Sequence, residues 1–176
     1  ETPIDCGPWT KKHLLGIEEL SIAELETIFK ASEFFVEASR NPEKKHSFLK
    51  GKVIANLFFE SSTRTRVSFG CAFNLLGGEV RETTGMQSSA LSKGESLFDT
   101  ARVISSYSDV IAMRHPQAGS VAEFAEGSRV PVLNGGDGAN EHPTQALLDL
   151  FTTSLDLNFS ALPNFVSMHW FSFRTI

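Results

Sequence analysis

Apolar residues recur along the chain in patterns that alternate between those of helices and those of buried strands. Ser21 and Glu24 have the spacing of a capping box, and the apolar residues after them recur at helical intervals, which predicts a helix over 21–39. The nearly continuous apolar run at 53–59 is typical of a strand buried inside a parallel sheet. A polar turn and a second helical pattern follow that run, so the predicted order is strand, turn and helix.

The same alternation continues to about residue 155. Three more helical patterns and two short apolar runs lie at 95–106, 110–113, 119–126, 130–133 and 143–155. Residues 134–138, Asn-Gly-Gly-Asp-Gly, indicate a tight turn, and Pro143 suits the first turn of the last helix because its missing N–H costs nothing there. Alternating strands and helices predict an α/β fold with a doubly wound, mostly parallel sheet flanked by helices. Ligands of such sheets collect beyond the carboxyl ends of the strands.

The first polar cluster, Ser62 to Thr65, opens the helix that follows the first strand. Unpaired N–H groups in the first turn of a helix, together with the helix dipole, attract anions. Arg64 adds a cation that can bind phosphate through two hydrogen bonds. The cluster therefore predicts an anion site; the alternative is that Ser62 and Thr63 only cap the helix and that the arginines are solvated. Arg66 points away from its neighbours, because each helical residue turns by about 100°, and is expected to have a structural role.

A second polar cluster begins with Arg114, directly after the predicted strand at 110–113. This position places Arg114 at the ligand edge of the sheet, where it could contact a bound anion or carbonyl group. The alternative is a structural ion pair with Asp109 or Glu123.

The third cluster contains His142 and Gln145, which lie three residues apart at the start of the last helix and can face the same point above it. A neutral imidazole there could donate a hydrogen bond to a carbonyl oxygen. The helix N-terminus would lower the pKa of His142 and keep it neutral. The alternative is a histidine with a purely structural role.

The composition argues against several classes of function. The chain has 176 residues, enough for one domain or for one domain and the start of a second, and its 41% apolar and 21% charged residues are typical of a soluble globular protein. A net charge of −5 argues against a nucleic-acid-binding protein, and no apolar run approaches the ~18 residues of a membrane span. The two cysteines, Cys6 and Cys71, favour a reducing compartment and offer no disulfide framework.

Motifs of several catalytic classes are missing from the sequence. It contains no nucleophile elbow, no HExxH or CxxC metal motif and no GxGxxG dinucleotide fingerprint. We therefore expect neither a metal ion nor a redox cofactor. What remains is a phosphate site beside a group that polarises a carbonyl, which favours group transfer by positioning and electrostatics.

Three segments, in order and in register, resemble the aspartate/ornithine carbamoyltransferase family. They are Phe58–Phe69 (FFESSTRTRVSF), Met113–Gln117 (MRHPQ) and His142–Thr152 (HPTQALLDLFT), and the resemblance covers most of residues 15–152. The first segment is similar to the family's carbamoyl-phosphate signature. Two features favour the aspartate branch. Residues 89–96 resemble a mobile loop that this branch lends to a neighbouring active site, and HPTQ stands where ornithine enzymes more often have HPCQ.

The resemblance implies a phosphate site that two subunits build together. The residues implied to bind the phosphate of carbamoyl phosphate are Ser62, Thr63, Arg64 and Thr65, with Ser89 and Lys93 reaching in from the adjacent protomer. Lys93 and Arg174 are implied to bind aspartate. A homotrimer with shared active sites follows from the resemblance, and regulatory subunits are further candidate partners.

The resemblance also implies a reaction. Thr65, Arg114 and His142 would polarise the carbamoyl oxygen, Gln145 would hold the carbamoyl amide, and Arg64 would stabilise the leaving phosphate. The α-amine of L-aspartate would attack, giving N-carbamoyl-L-aspartate and phosphate, a reaction of pyrimidine biosynthesis. The family needs no metal ion or cofactor and forms no covalent enzyme intermediate. An ornithine carbamoyltransferase and a non-catalytic anion-binding or assembly domain are the alternatives.

The chain departs from the family at three places. Gly70 stands where the family usually has Glu, Glu141 stands where Gln commonly precedes His, and the segment around Arg174 is only faintly similar to the start of the family's aspartate domain. The expected division is a carbamoyl-phosphate-binding domain over 1–155 and the start of a truncated or missing aspartate domain over 156–176. The chain alone is therefore expected to be inactive. The expected location is the cytoplasm, with an organellar form left open.

Overall fold

Helices and strands alternate through residues 5–40, 46–83 and 94–156, the part of the chain that the computed structural model describes. In chain order they are α1 (Ile22–Arg40), β1 (Val53–Phe58), α2 (Thr63–Leu75), β2 (Glu79–Thr83), α3 (Leu97–Ile104), β3 (Val110–His115), α4 (Ser120–Gly127), β4 (Val132–Asp137) and α5 (Pro143–Asp156). The predicted α/β class is confirmed. Residues 157–176 lie outside the described residues, so the predicted second domain stays a prediction.

The four strands form one parallel sheet in the order β2-β1-β3-β4. Because every strand runs in the same direction, the carboxyl ends of all four lie at one edge. The segment around Leu14 extends the sheet beyond β4: the Leu14 amide donates to the Val132 carbonyl at 2.9 Å, and the Asn134 amide donates to the Leu14 carbonyl at 2.9 Å.

Apolar side chains cover both faces of the central strands. On one face, Leu57 and Met113 pack against α3 and α4 in a cluster that also contains Phe124. On the other face, Ile54 and Ala112 pack with Phe73 of α2. A third cluster joins α1 to α5. Burial on both faces explains why β1 is a nearly continuous apolar run rather than an alternating one.

Two details of the predicted elements were wrong. The first is β2, which sequence reasoning missed: it is an edge strand with a single apolar residue, Val80, so it lacks the apolar run expected of a buried strand. The second is the predicted turn at 134–138, of which Asn134 to Asp137 instead continue β4. Asn134 is satisfied within the sheet region, since its Nδ2 donates to the Leu15 carbonyl at 2.8 Å and its Oδ1 accepts from the Gly136 amide at 2.9 Å.

The predicted capping box closes the start of α1. The Ser21 amide donates to Glu24 Oε2 at 3.0 Å, and the Glu24 amide donates to Ser21 Oγ at 3.3 Å. Thr10 extends the box, because its hydroxyl donates to Glu24 Oε1 at 2.7 Å. These hydrogen bonds, first that of the Thr10 side chain and next that of the Ser21 amide, lower the pKa of Glu24 to about 2.

The lowered pKa of Glu24 predicts a pH-dependent contribution to stability. Because the folded-state pKa lies below the ordinary value of 4.5, the stabilisation is fully present above pH ~4.5 and is lost as the pH falls through about 2. We therefore expect Glu24→Gln to lower the melting temperature at pH 7, by an amount that shrinks steadily below pH ~4.5. Thermal melts from pH 7 to pH 2 measure this difference, and an equal loss at every pH would contradict it.

Among the described residues, no helix combines the length and the apolar character that are needed to cross a bilayer.

Candidate functional site

All three polar clusters that the sequence singled out lie at the carboxyl edge of the sheet. Phe58, at the end of β1, pairs with Arg114 of β3, and His115 of β3 pairs with Asp137 of β4. Helix α2 starts shortly after β1, and α5 starts shortly after β4. The register therefore brings the start of α2, Arg114 and the start of α5 to the same end of neighbouring strands.

The first turn of α2 is open to a ligand. Ser62 occupies the N-cap position, but its side chain makes no capping hydrogen bond, so the alternative that it serves only as a helix cap loses support. Thr63 and Arg64 are exposed, whereas Ser62 and Thr65 are half-buried. No ion pair or side-chain hydrogen bond joins Arg64 to another described residue. The hydroxyls, the first-turn amides and this guanidinium are thus available together.

Arg114 is held at the sheet edge by its neighbours on both sides. Its Nε contacts Glu60 Oε1, and its Nη1 donates to the Gly135 carbonyl at 3.0 Å. The alternative partner Asp109 is instead bound by Lys52 at 2.9 Å and by the Val53 amide at 2.9 Å. Sequence reasoning missed Glu60, although it comes two residues after the end of β1.

Gly136 makes room for Arg114 in β4. Its φ is +129°, and a Cβ added there would lie 2.4 Å from Nη1 and 2.8 Å from Cζ of Arg114. Any side chain at this position would therefore displace the guanidinium. The close approach explains why a glycine-rich sequence continues a buried strand.

His142 lies immediately before α5 and faces the same edge. It is half-buried, its backbone carbonyl accepts from the Gln145 amide at 3.0 Å, and its Nδ1 lies 3.4 Å from Thr144 Oγ1. Burial and, next, the positive charge of Arg114 lower the pKa of His142 below its ordinary 6.5. The predicted direction of the pKa shift is confirmed, but its causes are burial and the charge of Arg114, not the helix N-terminus. A neutral imidazole therefore predominates at pH 7.

Gln145 does not join this group in the structure. Its Nε2 donates to Asp149 Oδ1 at 2.9 Å along the exposed surface of α5. Its implied contact with a carbamoyl amide stays a prediction. Three other predicted residues, Ser89, Lys93 and Arg174, lie outside the described residues.

Asp137 is a supporting residue that sequence reasoning did not assign. It is 3% exposed at the end of β4, and its carboxylate accepts from the Gly119 amide at 2.9 Å and from Asn140 Nδ2 at 3.3 Å. These contacts tie the loop before His142 to the start of α4. The sequence signal that could have identified Asp137 is its position as an acidic residue at the end of a buried strand.

Glu141 packs against the segment before α1. A Cβ at Gly16 would lie 3.6 Å from the Glu141 carboxyl carbon. Burial is the largest effect on the group and raises its pKa above the ordinary 4.5, with help from the negative charges of Glu18 and Asp137.

The raised pKa of Glu141 predicts the opposite pH behaviour to that of Glu24. Ionised Glu141 destabilises the folded chain; this cost is absent below pH ~4.5 and is complete only above the raised folded-state pKa. We expect Glu141→Gln to raise the melting temperature at pH 7.5, and the gain to vanish near pH 4. Melts of the two proteins across this range measure it. A variant less stable than the parent at pH 7.5 would refute it.

Comparisons with known proteins place this chain in a family. Residues 12–154 match the model of the aspartate/ornithine carbamoyltransferase, carbamoyl-P binding domain. The chain is 64% identical over 145 residues to an aspartate carbamoyltransferase catalytic subunit of Saccharophagus degradans, covering 82% of this chain and 43% of the relative. A catalytic subunit of Archaeoglobus fulgidus is 50% identical over 141 residues, covering 80% and 47%.

Solved structures of aspartate transcarbamoylases also match the chain. The catalytic subunit of Methanocaldococcus jannaschii aspartate transcarbamoylase matches with a TM-score of 0.77 and 44% identity, covering 84% of this chain and 48% of that one. Trypanosoma cruzi aspartate transcarbamoylase in complex with carbamoyl phosphate matches with a TM-score of 0.75 and 38% identity, covering 83% and 47%. The chain thus spans a little under half the length of these relatives.

Proposed function

The chain belongs to the aspartate/ornithine carbamoyltransferase family, and we propose that it binds carbamoyl phosphate within a protein that transfers the carbamoyl group to L-aspartate. The products are N-carbamoyl-L-aspartate and phosphate. The observation that carries this proposal is the position of Arg114 beside a half-buried His142 of lowered pKa, at the sheet edge where the first turn of α2 opens.

Binding of the phosphate group falls to the first turn of α2. Its unpaired amides and the hydroxyls of Ser62, Thr63 and Thr65 donate hydrogen bonds, and Arg64 balances the charge through a bidentate contact. Ser89 and Lys93 complete this site from the adjacent protomer, so the working assembly is a homotrimer; regulatory subunits are further candidate partners. Lys93 and Arg174 bind the carboxylates of aspartate.

Transfer proceeds by positioning and charge stabilisation. The amine nitrogen of aspartate attacks the carbamoyl carbon, and negative charge builds on the carbonyl oxygen. Arg114 and neutral His142 donate hydrogen bonds to that oxygen, helped by the Thr65 hydroxyl, while Gln145 holds the carbamoyl amide. The C–O bond to phosphate then breaks, the proton lost by the amine passes to the departing phosphate, and Arg64 stabilises the resulting hydrogen phosphate dianion. This route needs no metal ion or other cofactor.

The aspartate branch is favoured over the ornithine alternative by the relatives. The proteins named above are aspartate carbamoyltransferases or transcarbamoylases, and the bacterial relative reaches 64% identity. We also propose a cytoplasmic location, which the free thiols of Cys6 and Cys71 support because reducing compartments keep cysteines unpaired. Subcellular fractionation tests that location.

Binding and turnover together test the proposed function. Calorimetry with the chain should show binding of carbamoyl phosphate that inorganic phosphate competes away. The whole protein, supplied with labelled carbamoyl phosphate, should form carbamoyl-aspartate from aspartate, whereas the chain alone should form none. Citrulline from ornithine would instead establish the ornithine alternative. Binding without any product from the whole protein would establish a non-catalytic domain.

A further inference from the structure

Three polar side chains connect the first turn of α2 to the inner strand β1 and to the edge strand β2. Glu82 of β2 stands opposite Asn56 of β1, and Asn56 Nδ2 donates to Glu82 Oε1 at 3.0 Å. The same amide donates to the Arg66 carbonyl at 3.3 Å. Glu82 Oε2 also lies 3.7 Å from Arg66 Nε. The Glu82 carboxylate therefore contacts both the Asn56 amide and the Arg66 guanidinium.

Asn56 depends on these two acceptors for its orientation. The residue is fully buried, and its Oδ1 has no hydrogen-bond partner among the described residues. Within the described part of the chain, only the Nδ2 side of the amide is satisfied, by Glu82 and by the Arg66 carbonyl. Loss of the Glu82 carboxylate would leave a buried donor without one of its acceptors, which costs more than the loss of an exposed contact.

Gly70 marks the place from which α2 itself could supply the same carboxylate. It lies buried four residues after Arg66, the spacing at which two helical side chains meet. A Cβ at Gly70 would lie 3.7 Å from Asn56 Nδ2 and 3.8 Å from Glu82 Oε1, both ordinary contacts. A glutamate at position 70 could thus reach Arg66 and Asn56 from the helix, in the space that Glu82 now enters from the sheet.

We propose that Glu82 is a positioning residue for the anion site, which from β2 holds Arg66 and Asn56 and thereby fixes the first turn of α2. The inference rests on the proposed function, because this turn carries Ser62 to Thr65. Amides and hydroxyls that are held before the ligand arrives lose less freedom on binding. Because Arg66 pairs with Glu82 at the sheet, Arg64 is the cation of that turn that remains for the anion.

Substitution with rescue tests this inference. Glu82→Met keeps the approximate shape and removes the carboxylate. We expect it to weaken carbamoyl phosphate binding to the chain about tenfold, equal to about 1.4 kcal/mol, and to speed hydrogen exchange of the Arg66 amide about tenfold. This amide reports on the turn because it donates to the Ser62 carbonyl at 3.2 Å. Adding Gly70→Glu to Glu82→Met should restore both values to within about threefold of the parent, since it returns a carboxylate at helical i,i+4 spacing.

A matched control separates positioning from general stability. Glu79→Met removes another carboxylate of β2, one whose exposed ion pair with Arg81 spans 2.8 Å, and should change neither value. If Glu82→Met does not fold, Glu82→Gln retains an acceptor for Asn56, removes the charge facing Arg66, and should weaken binding about threefold. The inference is overturned if Glu82 variants behave like Glu79→Met, or if Gly70→Glu restores neither value. Failure of the parent chain to bind carbamoyl phosphate would refute the proposed function, while amide exchange would still decide the role of Glu82.

Discussion

Replacing Arg64 by alanine is expected to lower kcat/KM for the proposed carbamoyl transfer by the whole protein about 10³-fold, with little change in stability. The reason is the isolation of this side chain. Arg64 is exposed in the first turn of α2, and it makes no ion pair or side-chain hydrogen bond with any other residue the structure describes. Its removal should cost the fold almost nothing, so under the proposed function the loss falls on the phosphate dianion that we propose Arg64 stabilises as the C–O bond breaks.

Initial rates at varied carbamoyl phosphate concentration measure the effect of Arg64→Ala. Arg102→Ala is the matched control, because Arg102 is also exposed on a helix but lies in the last turn of α3. The control should retain full activity. A loss of less than tenfold for Arg64→Ala would show that Arg64 does not contact the leaving phosphate.

The parts of the fold that sequence reasoning predicted are those with a strong local pattern. β1 and β3 are buried on both faces, so apolar runs revealed them, and the capping residues of α1 revealed its start. β2 has no such pattern because an edge strand needs only one covered face. The sequence did not predict the end of β4, because Asn-Gly-Gly is typical of a turn. The reason for the glycine at position 136 is the close approach of Arg114, which depends on tertiary structure.

The sequence likewise predicted some features of the site and not others. The predicted residues at the carboxyl edges came from their positions after strands, which topology alone brings together. The Glu60 partner of Arg114 could not be chosen over Asp109 or Glu123 without knowing the strand register. For Gln145 the sequence prediction failed in the structure. Its spacing predicted that it faces the same point as His142, but its side-chain amide instead donates to the Asp149 carboxylate, one turn further along α5. Short-range competition of this kind depends on side-chain conformations that a pattern does not contain.

Arg114→Gln should lower kcat about 10²–10³-fold and should also move the acid limb of the pH profile. The positive charge of Arg114 lowers the pKa of His142, so the neutral variant raises that pKa towards 6.5, although burial still opposes the change. If neutral His142 donates to the carbamoyl oxygen, activity is lost on protonation. The acid limb of kcat should therefore shift to higher pH in Arg114→Gln.

Arg114→Lys separates the charge from the geometry of the guanidinium. Lysine keeps the positive charge, so the acid limb should stay where it is in the parent, but the planar fork that contacts Glu60 and the Gly135 carbonyl is lost and kcat should still fall. Arg129→Gln, a substitution at an exposed arginine before β4, is the control and should alter neither rate nor profile. The decisive measurement is kcat from pH 5 to pH 9 for the four proteins. An acid limb at the same pH in Arg114→Gln and the parent would mean that His142 is not the group whose protonation stops the reaction, and the hydrogen bond to the developing oxyanion would then have to come from Arg114 and Thr65.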